Sequence, residues 1–426
     1  MGIVLKRRTL SSQHQYGLFK RRCGTAILRI GGNNPRNCGF ASSGIAAVVD
    51  EAGIDAPVSD VAHGHKLLLV PFLSVDDIER FVVQVTERPS SDLVIAGGQG
   101  CLSVNAIRNL VDVVHFGRAE GIAASVIAGE TGASTWNTGD PLMGMAIRQA
   151  HHLLPGERSV GCPGVCAFCQ YGYTRLPTGD GYCHGLDLST VEDSFSRLTV
   201  TTPGRYTTAL DGWGEDTRRL VMKQCSDRCI TDTLADIINR GMAKPVVIKI
   251  FQIVGYPWET AASVKRDVAH HADVLRAADE KSKGGGRVVI LYTVTPFSPE
   301  PMTPMQDCPA SIIDWRDVFD NLPVPRRVYK GKHVEAFILP QINGPFKLAR
   351  RVAINRGITG DQLRAGAVAA SLVSGRVGKA EAFLAATADW LSAGCRSMSP
   401  ATYLLQPKPF PPAVGRLSAG WKGSLL

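Results

Sequence analysis

From Met1 to Val49 the chain carries no acidic residue. It also lacks an apolar run of membrane-spanning length. The longest candidates, such as KLLLVPFL (66–73), are strand-sized and contain a proline, which excludes a membrane span and predicts no membrane partner. The opening MGIVLKRRTL has neither a long apolar core nor a small-residue cleavage site, which argues against a secretory signal. Lys6 stands where a myristoylation site needs Ser or Thr. No internal repeat is visible. Cysteine is present in an odd number, eleven, unevenly spaced, which argues against a secreted disulfide framework and for a reducing cytoplasm.

The acid-free stretch holds eight basic residues, Lys6, Arg7, Arg8, Lys20, Arg21, Arg22, Arg29 and Arg36, and the rest of the chain is nearly neutral. The net charge of +9 is therefore local. A second basic zone runs from Arg326 to Arg356, with only Glu335 opposing. Two such zones suit a phosphate backbone or a phosphorylated substrate; a solvated face and a mobile leader, or a transit peptide, are the competing readings.

A length of 426 residues implies two or three domains. Between Lys66 and Gly129 strand and helix patterns alternate: KLLLVPFL, the helix SVDDIERFVVQV with Ser74 as N-cap, DLVIAGGQG, the helix SVNAIRNLV, and DVVHFG. This reads as a βαβαβ unit with a parallel sheet. GGQG after a strand is either a phosphate-type turn or a plain tight turn. A second alternation starts near Ser159. Its strands are SVGC, RYTTALD, KPVVIKIFQIVG, GRVVILYTVT and KHVEAFILP; its helices are TVEDSFSRL, TDTLADIINR and TAASVKRDVAHHADVLRAADE. VVIKIFQIV is apolar nearly throughout, as in a strand covered on both faces. Repeated β–α units predict a full or partial barrel with its site at the C-terminal strand ends. The expected divisions are a basic leader (1–50), a Rossmann-like domain (51–150), a barrel (151–345), a helical C-terminal region (346–400) and a proline-rich tail (401–426).

The stretch GCPGVCAFCQYGYTR places Cys162, Cys166 and Cys169 within eight residues. Thiolates this close hold zinc or an iron–sulfur cluster. Structural zinc wants four protein ligands, commonly as two pairs; here the local motif supplies three. Cys183 or His184 is a candidate fourth. A cube held by three cysteines keeps one iron open. Cys225 and Cys229, with Cys183 and Cys308, are a second ligand set to be weighed against free buried thiols. The adjacent pairs His151/His152 and His270/His271 do not each face one ligand. Tyr171, Tyr173 and Arg175 are read either as cavity lining or as packing.

C-x3-C-x2-C with Phe168 before the last cysteine, following the strand SVG, resembles the radical S-adenosylmethionine (radical SAM) superfamily. The resemblance implies a partial (β/α) barrel, α/β in class. It further implies a 4Fe–4S cluster on Cys162, Cys166 and Cys169, with S-adenosylmethionine chelating the open iron, and an external one-electron reductant. Three further stretches resemble that family. TTALDGWGEDTRRLVMK carries Glu215, which the likeness assigns to the cofactor's amino group; Trp213 and Gly214 depart from the small or hydroxyl residues of many relatives. IVGYPWET matches a strand end near adenine at Ile253, Gly255, Pro257 and Glu259, and TPFSPEPMTPMQ is similar to a stretch of relatives with a cobalamin-type N-terminal domain.

Two radical reactions follow from the resemblance. One is a radical isomerase of an amino-acid-adducted thymidine in DNA hypermodification, which the basic zones suit. The other is a cobalamin-dependent methyltransferase; DVAHGH (Asp60–His65) has the wrong spacing for the cobalt-ligand motif of such relatives. A non-enzymatic, metal-stabilised nucleic-acid-binding protein is the third reading.

Overall fold

The computed structural model describes residues 25–30, 56–72, 75–85, 89–98, 101, 107, 109–116, 135–137, 159–160, 166–170, 178–179, 190–191, 195–223, 225–301, 303–306, 308–355 and 360–387. Two six-stranded sheets organise them. The class is mixed α/β with mainly parallel sheets.

The first sheet contains β1 (Thr25–Leu28), β2 (Val58–Ser59), β3 (Leu67–Pro71), β4 (Leu93–Gly97), β5 (Val113–His115) and β6 (Thr135–Asn137) in the order β2-β1-β3-β4-β5-β6. All neighbours are parallel except β5–β6. The order reverses between β1 and β3, which is a doubly wound topology. β1 falls inside residues 1–50, expected as a basic leader; the sheet instead begins there, with Ala26, Ile27 and Leu28 buried. Three consecutive apolar side chains suit a parallel strand covered on both faces. Gly98, in the GGQG turn, has φ +98, and a Cβ there would lie 2.2 Å from the Phe72 carbonyl oxygen. Close chain approach accounts for this glycine without a ligand.

Helix α1 (Val75–Gln84) packs on one face of this sheet through Ile78, Phe81 and Val82. The expected helix over 103–111 lies largely outside the described residues, as does the Ser74 cap. The C-terminal helices that follow the second sheet also join this core: α6 (Pro345–Asn355) and α7 (Gly360–Ser371) pack on α1, and α8 (Arg376–Thr387) packs on both of them. Ala349, Ala353, Leu363, Phe383 and Leu384 share one apolar cluster with α1 and the sheet. The expected separate C-terminal region is thus, over 345–387, an outer layer of the N-terminal core.

The second sheet contains β9 (Thr190–Val191), β10 (Arg205–Ala209), β11 (Val246–Val254), β12 (Val288–Pro296), β14 (Val334–Ile338) and the antiparallel edge strand β13 (Arg327–Lys330). β9, β10, β11, β12 and β14 lie side by side and parallel. Their connections carry α2 (Glu215–Leu220), α3 (Asp227–Asn239), α4 (Ala261–Lys281) and α5 (Trp315–Asp320). Even-numbered strand residues such as Ile248, Ile290, Val294 and Ala336 form one cluster with Ile230, Leu234 and Ile237 of α3 and with Val268 and Leu275 of α4. The odd-numbered face is more open: Phe251 is 39% exposed. VVIKIFQIV is therefore covered fully on one face, not on both. This sheet is open among the described residues, and they form no closed barrel.

Two further expectations are corrected. Ser159–Val160, expected as the first barrel strand, is β7 and pairs antiparallel with β8 (Thr178–Gly179) in a separate two-stranded sheet. Thr190–Val191, expected to open a helix, is the strand β9, and among the described residues only a 3-10 turn at Phe195–Arg197 follows before β10.

Candidate cysteine-loop site

Cys166 and Cys169 lie on one tight turn, closed by the Cys169 N–H donating to the Cys166 carbonyl at 3.0 Å. Both are half-buried. Cys162 lies outside the described residues. The turn is docked on backbone from two distant segments: the Ala167 N–H donates to the Val221 carbonyl at 2.9 Å, and the Met305 N–H donates to the Ala167 carbonyl at 3.2 Å. The Gln170 side chain donates to the Pro301 carbonyl at 3.0 Å. Val221 ends the helix after β10, and Met305 and Pro301 belong to the proline stretch after β12. The cysteine turn therefore sits at the C-terminal edge of the second sheet.

Ala167, Val221, Tyr256, Phe297, Met305 and Cys308 form one buried apolar cluster, with Phe168, Ile253 and Trp258 packed against it. The Phe168 and Tyr256 rings are 6.1 Å apart, and Tyr256 stacks on Trp258 at 5.3 Å. Each fully buried large side chain here contributes about 1.5–3 kcal/mol. Sequence stretches read as separate signals (the cysteine motif, IVGYPWET and the proline stretch) thus converge on one place. The order of the parallel strands brings the last two together, because consecutive β–α units put their strand-end loops on the same edge; the cysteine turn, which follows no strand of this sheet, joins them through its hydrogen bonds to Val221 and Met305.

No protein-family model matches the chain, and no curated protein matches it.

The turn after β11 is organised by Glu259. Its Oε2 accepts the N–H groups of Gly255 at 2.8 Å and Tyr256 at 3.1 Å, and Thr217 donates to Oε1 at 3.3 Å. Burial pushes its carboxyl up to about 7, against the two backbone bonds that favour the ionised form; the Asp267 charge adds to the rise. Gly255 has φ +80, and a Cβ would lie 2.8 Å from the Trp315 ring. The space that this glycine leaves is filled by the indole of α5.

Glu215 is exposed, and its Oε2 accepts the Asp227 N–H at 2.7 Å at the start of α3. The structure thus gives Glu215 a helix-end partner of its own. The loop around it is held by Arg218, which is fully buried. Arg218 donates to the carbonyls of Cys225 (2.7 Å), Gly212 (3.1 Å) and Trp213 (2.8 Å) and to the Asp227 carboxylate. Burial raises the Asp227 carboxyl, but hydrogen bonds from His270 and Arg218 outweigh it and hold it below its usual value. Sequence reasoning missed Arg218 and a second buried pair, Lys223–Asp211 at 2.8 Å. Asp211 takes φ +55 just beyond β10, and Tyr256 donates to its carbonyl at 2.8 Å.

The remaining candidates separate. His270 meets Asp227 at 2.8 Å, whereas His271 is buried against Tyr292 at 2.6 Å, as neighbours on a helix should. Cys225 belongs to the helix-side core and Cys308 to the cluster under the cysteine turn, so these two do not share a site. No disulfide joins two described cysteines. Burial first, and then its neighbour Cys229, pushes the Cys225 thiol up to about 12. Cys183, His184, His151, His152, Tyr171, Tyr173 and Arg175 lie outside the described residues. His63 accepts the Ser90 N–H at 3.1 Å, and His65 bonds the Val61 carbonyl at 2.9 Å. Asp92 and Leu93 donate to the carbonyls of His65 and Lys66, which puts DVAHGH at the N-terminal edge of β3 and β4. Doubly wound sheets bind ligands at the opposite edge. The basic zone is divided: Arg326 pairs with Asp320 (2.6 Å) beside the sheet edge, and Arg351 pairs with Glu300 (2.7 Å) from α6.

The donor chemistry fits a cluster as far as the described ligands go. Two soft sulfur donors share one half-buried turn on the edge where a β–α sheet keeps its site. No described group of three His, Cys, Asp or Glu residues forms a metal site. No described helix is long and apolar enough to cross a membrane.

Proposed function

We propose that this protein is a radical SAM enzyme in which Cys162, Cys166 and Cys169 hold a 4Fe–4S cluster, acting on a modified nucleobase in DNA as a radical isomerase. The carrying observation is the docking of the Cys166–Cys169 turn on the C-terminal edge of a consecutively ordered parallel sheet. When bound, the cluster and S-adenosylmethionine together supply a 5′-deoxyadenosyl radical that takes hydrogen from carbon. The chain supplies orientation and shelter. Phe168, Tyr256 and Ile253 form an apolar wall beside the turn. Glu259 fixes the Gly255–Tyr256 turn through two N–H groups, and Arg218 fixes the loop after β10. Glu215 is the carboxylate that the likeness assigns to the cofactor's amino group; its Oε2 accepts the Asp227 N–H, and a carboxylate has further lone pairs with which to accept from an amine.

The test is anaerobic reconstitution with iron and sulfide, followed by dithionite and S-adenosylmethionine. About four irons per chain and release of 5′-deoxyadenosine are expected, and Cys166→Ala or Cys169→Ala should abolish both. A colourless, zinc-containing protein with no cleavage would leave the nucleic-acid-binding reading instead.

The doubly wound order of the first sheet favours a second reading, a cobalamin-dependent methyltransferase. Its cobalamin would have to lie at the C-terminal edge without His63 or His65. S-adenosylhomocysteine among the products, only when cobalamin is added, distinguishes it from an isomerase, which returns the hydrogen and consumes no methyl donor.

A further inference from the structure

The open face of the second sheet carries two cations that have no acidic partner among the described residues. Strand register places Lys249, Leu291, Phe337 and Arg327 in one row across β11, β12, β14 and β13, with all four side chains on the odd-numbered face. Lys249 Nζ lies 5.0 Å from the centre of the Phe251 ring, and the Arg327 guanidinium 5.6 Å from that of Phe337. Among the described residues neither cation finds an ion-pair or hydrogen-bond partner. The carboxylate on this face among the described strand residues, Glu335, is held by Arg287 at 3.7 Å. A lysine in the middle of VVIKIFQIV is costly against a packed layer and serves no described internal partner here. Thr293 Oγ1, beside Phe251 in register, is buried without a hydrogen-bond partner among the described residues.

We infer that this face is a platform for an unpaired stretch of nucleic acid, with Lys249 and Arg327 on two phosphates and Phe251 available to a base. The two cations stand three strands apart, about 14 Å, too far for one phosphate and suited to a chain of them. An exposed ring, Phe251, beside cations without an acidic partner among the described residues is the pattern that holds single strands with little sequence preference. Ile253, two residues beyond Phe251 on the same face, packs in the cluster with Phe168, so a base at Phe251 lies about 7 Å along the strand from a residue of the cysteine-turn cluster. The inference deepens the proposed function by naming how its substrate is held, and it rests on the nucleic-acid part of that reading.

The test is fluorescence anisotropy of a fluorescein-labelled oligothymidylate with the full-length, anaerobically reconstituted protein across a salt series. Each phosphate contact on a single strand contributes about 0.7 to the slope of log K against log salt, so its loss weakens binding about fivefold at roughly 0.1 M salt. Lys249→Gln and Arg327→Gln should each show that loss of affinity and of slope. Phe251→Ala should weaken binding with the slope unchanged. Arg228→Gln, which alters an exposed cation on α3 paired with Asp232, should bind as the parent does. Thermal melts establish that each variant is folded. Parent-like affinity and slope in both Lys249→Gln and Arg327→Gln would overturn the inference, as would a parent protein that prefers the matching duplex. Iron content and S-adenosylmethionine cleavage are separate readouts, so strand binding without cleavage removes the radical chemistry and leaves the platform standing.

Discussion

Replacing Glu259 by Gln should change how the turn after β11 responds to pH. The wild-type carboxyl is raised from 4.5 to about 7, chiefly by burial. The folded state therefore holds this proton more tightly than the unfolded chain does. The contribution to stability is complete below pH 4.5, declines as pH rises toward 7, and is lost above it. Each tenfold difference in proton affinity corresponds to about 1.36 kcal/mol, so the loss between about pH 5 and pH 8 is about 2.5 kcal/mol. Gln has the same shape. Its carbonyl oxygen accepts the Gly255 and Tyr256 N–H groups, and its amide donates to Thr217, so the turn persists while the titration disappears. Hydrogen exchange of the peptide covering Gly255 and Tyr256 reads the local opening free energy directly. At equal pH, protection in the Gln variant relative to wild type should increase roughly seventyfold from pH 5 to pH 8. A ratio that stays constant across that range would refute the assignment of the titration to this carboxylate. Glu259→Ala, which removes both acceptors, should lose protection at every pH.

Burial, followed by the Arg218 charge, lowers His271 to about 3, so its contribution is present above the unfolded value of 6.5 and is lost as pH falls toward 3. His271→Gln should flatten the acid limb of urea midpoints measured between about pH 4 and pH 7, and an unchanged limb would count against it. Gly98→Ala forces a Cβ against the Phe72 carbonyl at φ +98 and should cost about 3 kcal/mol, seen as a lower melting temperature of the first domain. Arg218→Met strips donors from three carbonyls and a carboxylate and should cost about 3–5 kcal/mol in urea titration; a loss under about 1 kcal/mol would show that the loop after β10 is held by other means.

The long elements are readable because their patterns are strong. The strand β12 and the helix α4 follow from residue order alone, as GRVVILYTVT and TAASVKRDVAHHADVLRAADE. β1 is hidden because four residues close to arginines look like part of a charged leader. β13 is hidden because RVYK reads as basic surface, although an edge strand commonly carries such residues. Lys249 escapes notice because an apolar strand looks the same whether one face or two are packed. Motif likeness names Phe168 and Ile253, and the structure unites them through packing that no spacing rule encodes. The same likeness singles out Glu215, while its Asp227 partner depends on where α3 begins. The face that a C-terminal helix buries is visible in its periodicity, but its destination is not, and α6 returns to α1.

That return sets a schedule for synthesis. The outer surface of α1 waits for residues 345–387, which begin roughly 260 positions downstream of Gln84. At about 5–20 residues per second the ribosome needs roughly 13–50 s to deliver them. Through that interval the second sheet is made and can assemble while the apolar face of α1 that the C-terminal helices cover stays exposed. A chain cut short near residue 340 would therefore fail first at its beginning, not at its severed end.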